Sequence, residues 1–154
     1  MLTKGAGTMT ITSHTSSIHI DAPVEKVFEH VKDPQKQFDA YYQKEKPIIP
    51  AMEMTPDAGA GSTWTWQGHL LFLPIHGTNT REEYVPNKRF VDHSSTGPRM
   101  TFTFEPDETG TTLTLVYEFD TKVPFLDKLT DTVVWNPDRD LGIWLSNLKA
   151  AIEA

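Results

Sequence analysis

Residues 18–34 constrain the fold more than any other part of the chain, because a strand, a proline turn and an amphipathic helix follow one another there. β-Branched residues precede Pro23, which suits a first helical turn because its missing N–H has no intrahelical partner to lose. Apolar residues then recur at i, i+3, i+4 and i+7, the spacing of a single helical stripe. Pro34 ends the helix, since the residue before a proline is pushed out of the α region. The stripe consists of Val24, Val27, Phe28 and Val31.

From residue 62 to residue 120 the apolar period changes to two. Threonines alternate with large apolar residues, the pattern of antiparallel strands with one buried face. Turns rich in Pro, Gly and Asn separate these strands and predict a meander of about five. Residues 10–20 read as a first strand, and residues 46–55 as a weaker one that Pro47 and Pro50 restrict to an edge or a bulge.

Helical patterns flank the strands. Residues 34–42 predict a second short helix, and the region after Pro124 is helical to the end of the chain. Asn136-Pro137-Asp138 reads as a helix start, so a break near Trp135 should separate a shorter segment, residues 125–134, from a long amphipathic helix. The expected order is strand, two helices, six strands and a final helix. A one-faced sheet needs a cover, so it should curl around the C-terminal helix.

Composition narrows the possible partners. The 154 residues fit one domain over residues 10–154, with residues 1–9 a flexible N-terminal extension. A formal net charge of -7 gives no diffuse basic field, so nucleic acid is not an expected partner. No apolar run approaches the ~20 residues that span a bilayer, so membrane insertion is not expected. The absence of cysteine fits a reducing cytoplasm.

The chain resembles the START-like or SRPBCC superfamily, which includes the pollen-allergen-like proteins and the polyketide cyclases. The resemblance rests on landmarks in the right order along nearly the whole chain. It implies an α+β helix-grip fold, in which a seven-stranded antiparallel sheet grips the last helix around a hydrophobic cavity. One departure is the sequence QFDAYY at residues 37–42, where many relatives carry a tryptophan. The landmarks are residues 18–28, Asp33-Pro34, 83–90, 110–114 and 148–153.

Aromatic residues are the best functional clue, since ligand pockets are mostly apolar. Those on the strands should point toward the C-terminal helix, and Trp135 at the helix break should line a cavity or its mouth. The same residues could equally fill a core, and Trp144 fits the core better. The candidate ligand-binding residues are Trp64, Trp66, Phe72, Phe102, Phe104, Tyr117 and Trp135.

Titratable residues give a weaker clue. His76, Arg81 and His93 lie on strands that form the cavity wall in the related fold, and are the candidate catalytic residues. Each is expected to point outward into solvent, because antiparallel sheets commonly keep one face wet. An inward Arg81 could hold a ligand carboxylate or enolate. Strand parity does not show whether Arg81 and Glu83 face inward, or instead Thr80 and Glu82.

No nucleophile, phosphate-loop or dinucleotide motif is present, and the histidines lack the spacing of a metal site, so neither a cofactor nor a metal is expected. The leading hypothesis is a carrier or sensor, monomeric or homodimeric, that encloses a small hydrophobic or aromatic molecule. An aromatic polyketide cyclase or dehydratase could use the same cavity. A protein-interaction module of the chaperone-activator type would instead have a filled core and an exposed apolar patch.

Overall fold

The computed structural model describes residues 11–41, 51–54, 60–70, 73–120 and 137–154. Within these residues the order of elements is the one expected from the sequence. Strands of threonine and apolar residues alternate as predicted, and the two short helices follow the first strand. The elements are β1 (Ile11–Ile20), α1 (Val24–Val31), α2 (Pro34–Tyr41), β2 (Ala51–Met54), β3 (Thr63–Leu70), β4 (Leu73–Val85), β5 (Arg89–Ser94), β6 (Arg99–Pro106), β7 (Thr111–Asp120) and α3 (Pro137–Glu153).

The strands form one seven-stranded antiparallel sheet in the order β1-β7-β6-β5-β4-β3-β2. Strands β2 to β7 are a meander, and β1 pairs with β7, from Ile11 opposite Asp120 to Ile20 opposite Thr111. The α+β helix-grip fold with seven strands is therefore confirmed. The edge position expected for the second strand is confirmed as well, since β2 pairs with β3 alone in the described sheet.

The core lies between the inner face of the sheet and the helices. The predicted stripe of α1 buries Val27, Phe28 and Val31. The ring of Phe28 packs against those of Tyr84, Phe90 and Phe104, with centroids 5.0–6.0 Å apart. These edge-on and tilted contacts are the arrangements that aromatic rings prefer. The contacts hold α1 across the middle strands.

Helix α3 is fixed at both ends against β1. It begins at Pro137, as the sequence indicated, and Asp138 Oδ1 lies 3.0 Å from Nδ1 of His14. At the other end, Lys149 Nζ donates to the backbone oxygen of His19 over 2.9 Å. Glu153 Oε2 accepts from the backbone N–H of Asp21 over 2.7 Å. The helix therefore lies across the sheet in a defined position.

A β-bulge resolves the parity of β4. The register of β4 against β5 shifts between Arg81 and Glu83, which adds one residue to the strand and reverses its alternation. Arg81 is fully buried, the Glu83 side chain is 45% exposed and pairs with Arg89, and Tyr84 packs against the core. Neither parity considered for the sequence is correct, because both assume regular alternation. The outward orientation expected for Arg81 is wrong.

Several expectations lie outside the described residues. They are the flexible extension at residues 1–9, the helical segment at residues 125–134, and the side chains of Phe72 and Trp135.

Candidate functional site

A cavity of about 160 Å³ lies between the inner face of the sheet and helices α2 and α3. Strands β3 to β7 supply its floor, α2 supplies one wall, and Trp144 of α3 lies over it. The described lining contains aromatic rings, one proline, one thioether, two amides and three hydroxyls, one of them the phenol of Tyr117. The lining residues are Gln37, Phe38, Trp66, Asn79, Ser94, Thr96, Pro98, Met100, Tyr117 and Trp144.

None of these described lining residues is an acid, a histidine, a lysine or an arginine. General acid–base chemistry needs a titratable group within hydrogen-bond reach of a reacting atom. An apolar lining with a few polar groups is instead typical of a pocket that binds and orients a small molecule. The phenol of Tyr117 is the one side chain of the described lining that general acid–base chemistry could use, and the rest of that lining is apolar or uncharged.

Trp66 and Asn79 form the polar part of the floor. Trp66 Nε1 donates a 3.1 Å hydrogen bond to Oδ1 of Asn79. The indole lies over Gly77, the residue opposite Trp66 on β4, and a Cβ atom at Gly77 would come within 2.6 Å of the ring. A glycine is therefore required for the indole to occupy this position. Gly77 thus indirectly sets the orientation of the Asn79 amide.

The wall formed by α2 is fixed by backbone oxygens. Gln37 is buried, and its Nε2 donates to the oxygen of Val31 over 2.9 Å. Trp144 Nε1 donates to the oxygen of Gln37 over 3.1 Å. Trp144 also packs edge-on against Phe102, with ring centroids 5.8 Å apart. The indole of Trp144 therefore belongs to the core and to the cavity wall at once.

Arg81 is buried beside the site in an ion pair. Its Nε and Nη2 donate to the two carboxylate oxygens of Asp92 over 2.8 and 3.0 Å, and Nη1 donates to the oxygen of Lys32 over 3.0 Å. Its Cζ atom lies 4.0 Å from the ring centroid of Phe90, within cation–π range. Burial raises the pKa of Asp92, and hydrogen bonds from Arg81 and Gln37 act in the opposite direction. The guanidinium edge that could bind a ligand carboxylate is occupied by Asp92.

The candidate ligand-binding aromatics separate into two groups. Trp66 and Tyr117 line the cavity. Trp64, Phe102 and Phe104 are buried in the interior without appearing in its described lining. The ligand-binding role of these residues stays a prediction, as it does for Phe72 and Trp135 outside the described residues.

The candidate catalytic histidines lie away from the cavity. His76 is exposed. His93 is on the outer face, where its Nδ1 lies 3.0 Å from Glu82 Oε2 and lowers the pKa of that carboxyl through the hydrogen bond. The structure therefore does not bring His76, Arg81 and His93 together. In the parts of the chain that the structure describes, no three acidic or histidine side chains form a metal site.

Asn79, Ser94 and Gln37 line the cavity but were not candidates from the sequence. Asn79 and Ser94 lie directly opposite each other on β4 and β5, and both side chains face the inside of the sheet. A polar residue at an inward-facing strand position is a sign of a pocket lining. The bulge in β4 hides which positions face inward, so this sign could not be read from the sequence. Gln37 has no such signal, because the weak amphipathicity of residues 34–41 leaves its inward face undefined.

None of the helices in the described ranges is long and apolar enough to cross a membrane.

A family model described as "Polyketide cyclase / dehydrase and lipid transport" matches residues 12–153. The match extends from β1 to the last turn of α3, and so includes every element that lines the cavity. Among curated protein sequences, no significant match was found.

Solved structures share the fold at low sequence identity. The crystal structure of TTHA0849 from Thermus thermophilus is 19% identical, with a TM-score of 0.68, and the alignment covers 92% of this chain and 97% of that one. Ara h 8.0201 is 13% identical with a TM-score of 0.66, over 93% and 98% of the two chains. A Staphylococcus aureus protein of unknown function, SA2116, is 10% identical with a TM-score of 0.68, over 94% and 95%. At these identities the likeness concerns the fold alone.

Proposed function

This chain belongs to the polyketide cyclase / dehydrase and lipid transport family, and we propose that it binds a small hydrophobic or aromatic molecule between the sheet and α3. The membership confirms the START-like resemblance of the sequence. The observation that carries the proposal is the cavity of about 160 Å³ with an apolar and aromatic lining. An apolar cavity of similar size, ~150 Å³, is large enough for one benzene ring.

Two observations, one on the cavity and one on the surface, support ligand binding over the protein-interaction alternative. A protein-interaction module would require a filled core and an exposed apolar patch. Among the side chains that the structure describes, Val85 is the exposed large hydrophobic residue, at 40%. A single exposed valine is far smaller than such a patch. The cavity and the few exposed apolar side chains of the described ranges both favour a carrier or sensor.

The cyclase or dehydratase alternative would need an acid or base at the cavity, and among the described lining residues Tyr117 is the one whose side chain can serve as one. It stays a prediction, tested by substituting His76, Arg81 and His93 in turn and measuring turnover of a candidate polyketide. Unchanged turnover in all three variants would end this assignment of residues. The cytoplasmic location also stays a prediction, which cell fractionation can test.

The proposal is tested with protein purified gently from its own host. Native mass spectrometry should show a bound small molecule on the wild-type chain. Thr96→Trp, at an exposed lining position, should reduce the bound fraction because the added indole fills the cavity mouth. Glu108→Trp adds the same ring at an exposed turn residue away from the cavity and should retain the ligand.

The result that contradicts the proposal is equally specific. A wild-type chain without a bound molecule, which also binds no added toluene, is not a carrier of this type. Equal ligand occupancy in Thr96→Trp and Glu108→Trp would place the ligand somewhere other than this cavity.

A further inference from the structure

Asn79 has a donor group that no described residue uses. Its side chain is 6% exposed, and its Oδ1 accepts the hydrogen bond from Trp66. An indole N–H can only donate, so this bond fixes which end of the amide is the oxygen. The Nδ2 group therefore occupies the other end, and among the described residues it has no hydrogen-bond partner.

The Nδ2 group opens onto the cavity. Among the described side chains, Nε1 of Trp64 is the polar atom that is both fully inaccessible and without a hydrogen-bond partner. Nδ2 of Asn79 is not such an atom. Nδ2 therefore contacts open volume, and the cavity is the open volume that Asn79 lines. A buried polar group is normally paired with protein or with water. A cavity-facing amide donor is thus available to an occupant.

The other nitrogen donors of the described lining are already engaged. Gln37 Nε2 donates to the oxygen of Val31, and Trp144 Nε1 donates to the oxygen of Gln37. The hydroxyls of Ser94 and Thr96 bond to each other over 2.8 Å. That pair uses one of its two hydroxyl hydrogens and leaves the second as a further donor. Hydroxyl oxygens also accept, so Nδ2 of Asn79 is the donor-only group of the described lining that lacks a hydrogen-bond partner among the described residues.

The position of Asn79 is defined before any ligand arrives. Trp66 holds the amide, and the ring of Trp66 is itself placed over Gly77. A donor held in one orientation loses little freedom when an acceptor binds to it, which increases its contribution to affinity. Such a group suits recognition better than a mobile surface amide.

We propose that Asn79 determines the ligand specificity of this cavity by selecting hydrophobic molecules that carry a carbonyl-type acceptor oxygen. The inference rests on the proposed function, because it concerns the occupant of the same cavity. A ligand oxygen accepts from Nδ2 while its apolar body contacts the rings of Trp66, Tyr117 and Trp144. A hydrocarbon of the same shape leaves Nδ2 dehydrated and unpaired, and is disfavoured for that reason.

The test uses two probes of the same shape, acetophenone and α-methylstyrene, which differ in C=O against C=CH2. Dissociation constants are measured for both by NMR titration of the wild type, Asn79→Leu and the matched control Gln67→Leu. Gln67 is an exposed amide residue of β3 that does not line the cavity. The ratio of the two constants cancels general effects on hydrophobic binding. Asn79→Leu should lower the relative preference for acetophenone about 3- to 10-fold, and Gln67→Leu should leave it unchanged.

The side-chain amide signal of Asn79 gives a second measurement on the unmodified protein, independent of whether Asn79→Leu folds. Acetophenone should move the Nδ2 proton signal further downfield than α-methylstyrene does, because the phenyl ring current is common to both probes while only the carbonyl accepts a hydrogen bond. If both probes bind the wild type and the amide signal responds equally to both, Asn79 does not select the acceptor, while the proposed function stands. An unchanged ratio in Asn79→Leu has the same meaning. If neither probe binds, the proposed function fails, and this inference fails with it.

Discussion

Arg81 and Asn79 project from the same strand to the same side of the sheet, yet their polar groups have different surroundings. The guanidinium of Arg81 is paired with Asp92 and donates a hydrogen bond to the backbone oxygen of Lys32. The amide of Asn79 has one partner, Trp66, among the described residues and lines the cavity. At the scale of single residues, Arg81 joins the strands to α1, while Asn79 is placed to meet a ligand.

The first prediction concerns the buried ion pair. Asp92→Leu should destabilise the protein by about 3–5 kcal/mol, because it leaves the charge of Arg81 buried without its counterion. The double variant Arg81→Met/Asp92→Leu should recover most of that loss, since it buries no charge. Urea unfolding of the wild type, both single variants and the double variant measures the coupling.

The exposed pair Arg89–Glu83 provides the control for this prediction. Its atoms are 2.8 Å apart, but the two side chains are 47% and 45% exposed. Glu83→Gln should therefore cost no more than about 1 kcal/mol. If the double variant of Arg81 and Asp92 is as unstable as Asp92→Leu, the loss does not come from the unpaired charge of Arg81, and the prediction is wrong.

The second prediction compares two glycines. Gly77→Ala should destabilise the protein by about 1–3 kcal/mol, because its Cβ would come within 2.6 Å of the Trp66 ring and displace it. Gly142→Ala should stabilise it by about 0.5–1 kcal/mol, because Gly142 lies within α3 and a Cβ there meets nothing within 4 Å. Thermal unfolding gives the sign of each effect. A Gly77→Ala variant as stable as the wild type would argue against the placement of the Trp66 ring, whatever the sign at Gly142.

Among the elements, α3 matters most to the site because its Trp144 lies over the cavity. The final turn of α3 is held by Glu153, which accepts the backbone N–H of Asp21 and also pairs with Lys149. The turn between β1 and α1 is therefore tied to the same helix that closes the cavity. Loss of this tie should weaken the docking of α3 without changing the cavity lining.

The third prediction is that the stability contributed by the hydrogen bond between Glu153 and the Asp21 N–H depends on pH. The hydrogen bond from the Asp21 N–H, followed by that from Lys149, lowers the pKa of Glu153 below its ordinary value of 4.5. A carboxyl with a lowered native pKa contributes stability that is fully present above its unfolded pKa. This contribution is lost as the pH falls through the lower native value.

The melting temperature of Glu153→Gln should therefore lie below that of the wild type at pH 7. The difference should shrink as the pH falls below about 4.5, the ordinary pKa of this carboxyl. Glu153→Asp keeps the charge but shortens the reach to Asp21, so it should behave like Glu153→Gln if the bond to the backbone is decisive. A difference in melting temperature that is constant from pH 7 to pH 3 would contradict a stabilising role for the ionised Glu153 carboxylate.

Over the whole molecule, much of the architecture could be predicted from local patterns. The stripe of Val27, Phe28 and Val31 indicates α1, and alternation on β6 and β7 indicates which face is buried. The bulge in β4 could not be predicted, because residues 78–83 are polar on both faces and give no contrast to reveal an added residue. The burial of Arg81 depends on that bulge and on Asp92 in the neighbouring strand, a contact between residues that are distant in sequence.

The cavity was harder to predict than the fold for a related reason. Aromatic residues that fill a core and those that line a cavity have the same alternation, as Phe102 and Tyr117 illustrate. What distinguishes them is the volume left between sheet and helix, which depends on every neighbouring side chain at once. The sequence predicts that a ligand would bind between the sheet and the C-terminal helix. It does not predict that the amide of Asn79 lines that space.

The most direct test of ligand binding beneath α3 is a set of intermolecular NOEs between bound toluene and the labelled protein. We expect NOEs from toluene to the rings of Trp66, Tyr117 and Trp144, which line the cavity. NOEs confined to the exposed Val85, or none at saturating toluene, would contradict this expectation.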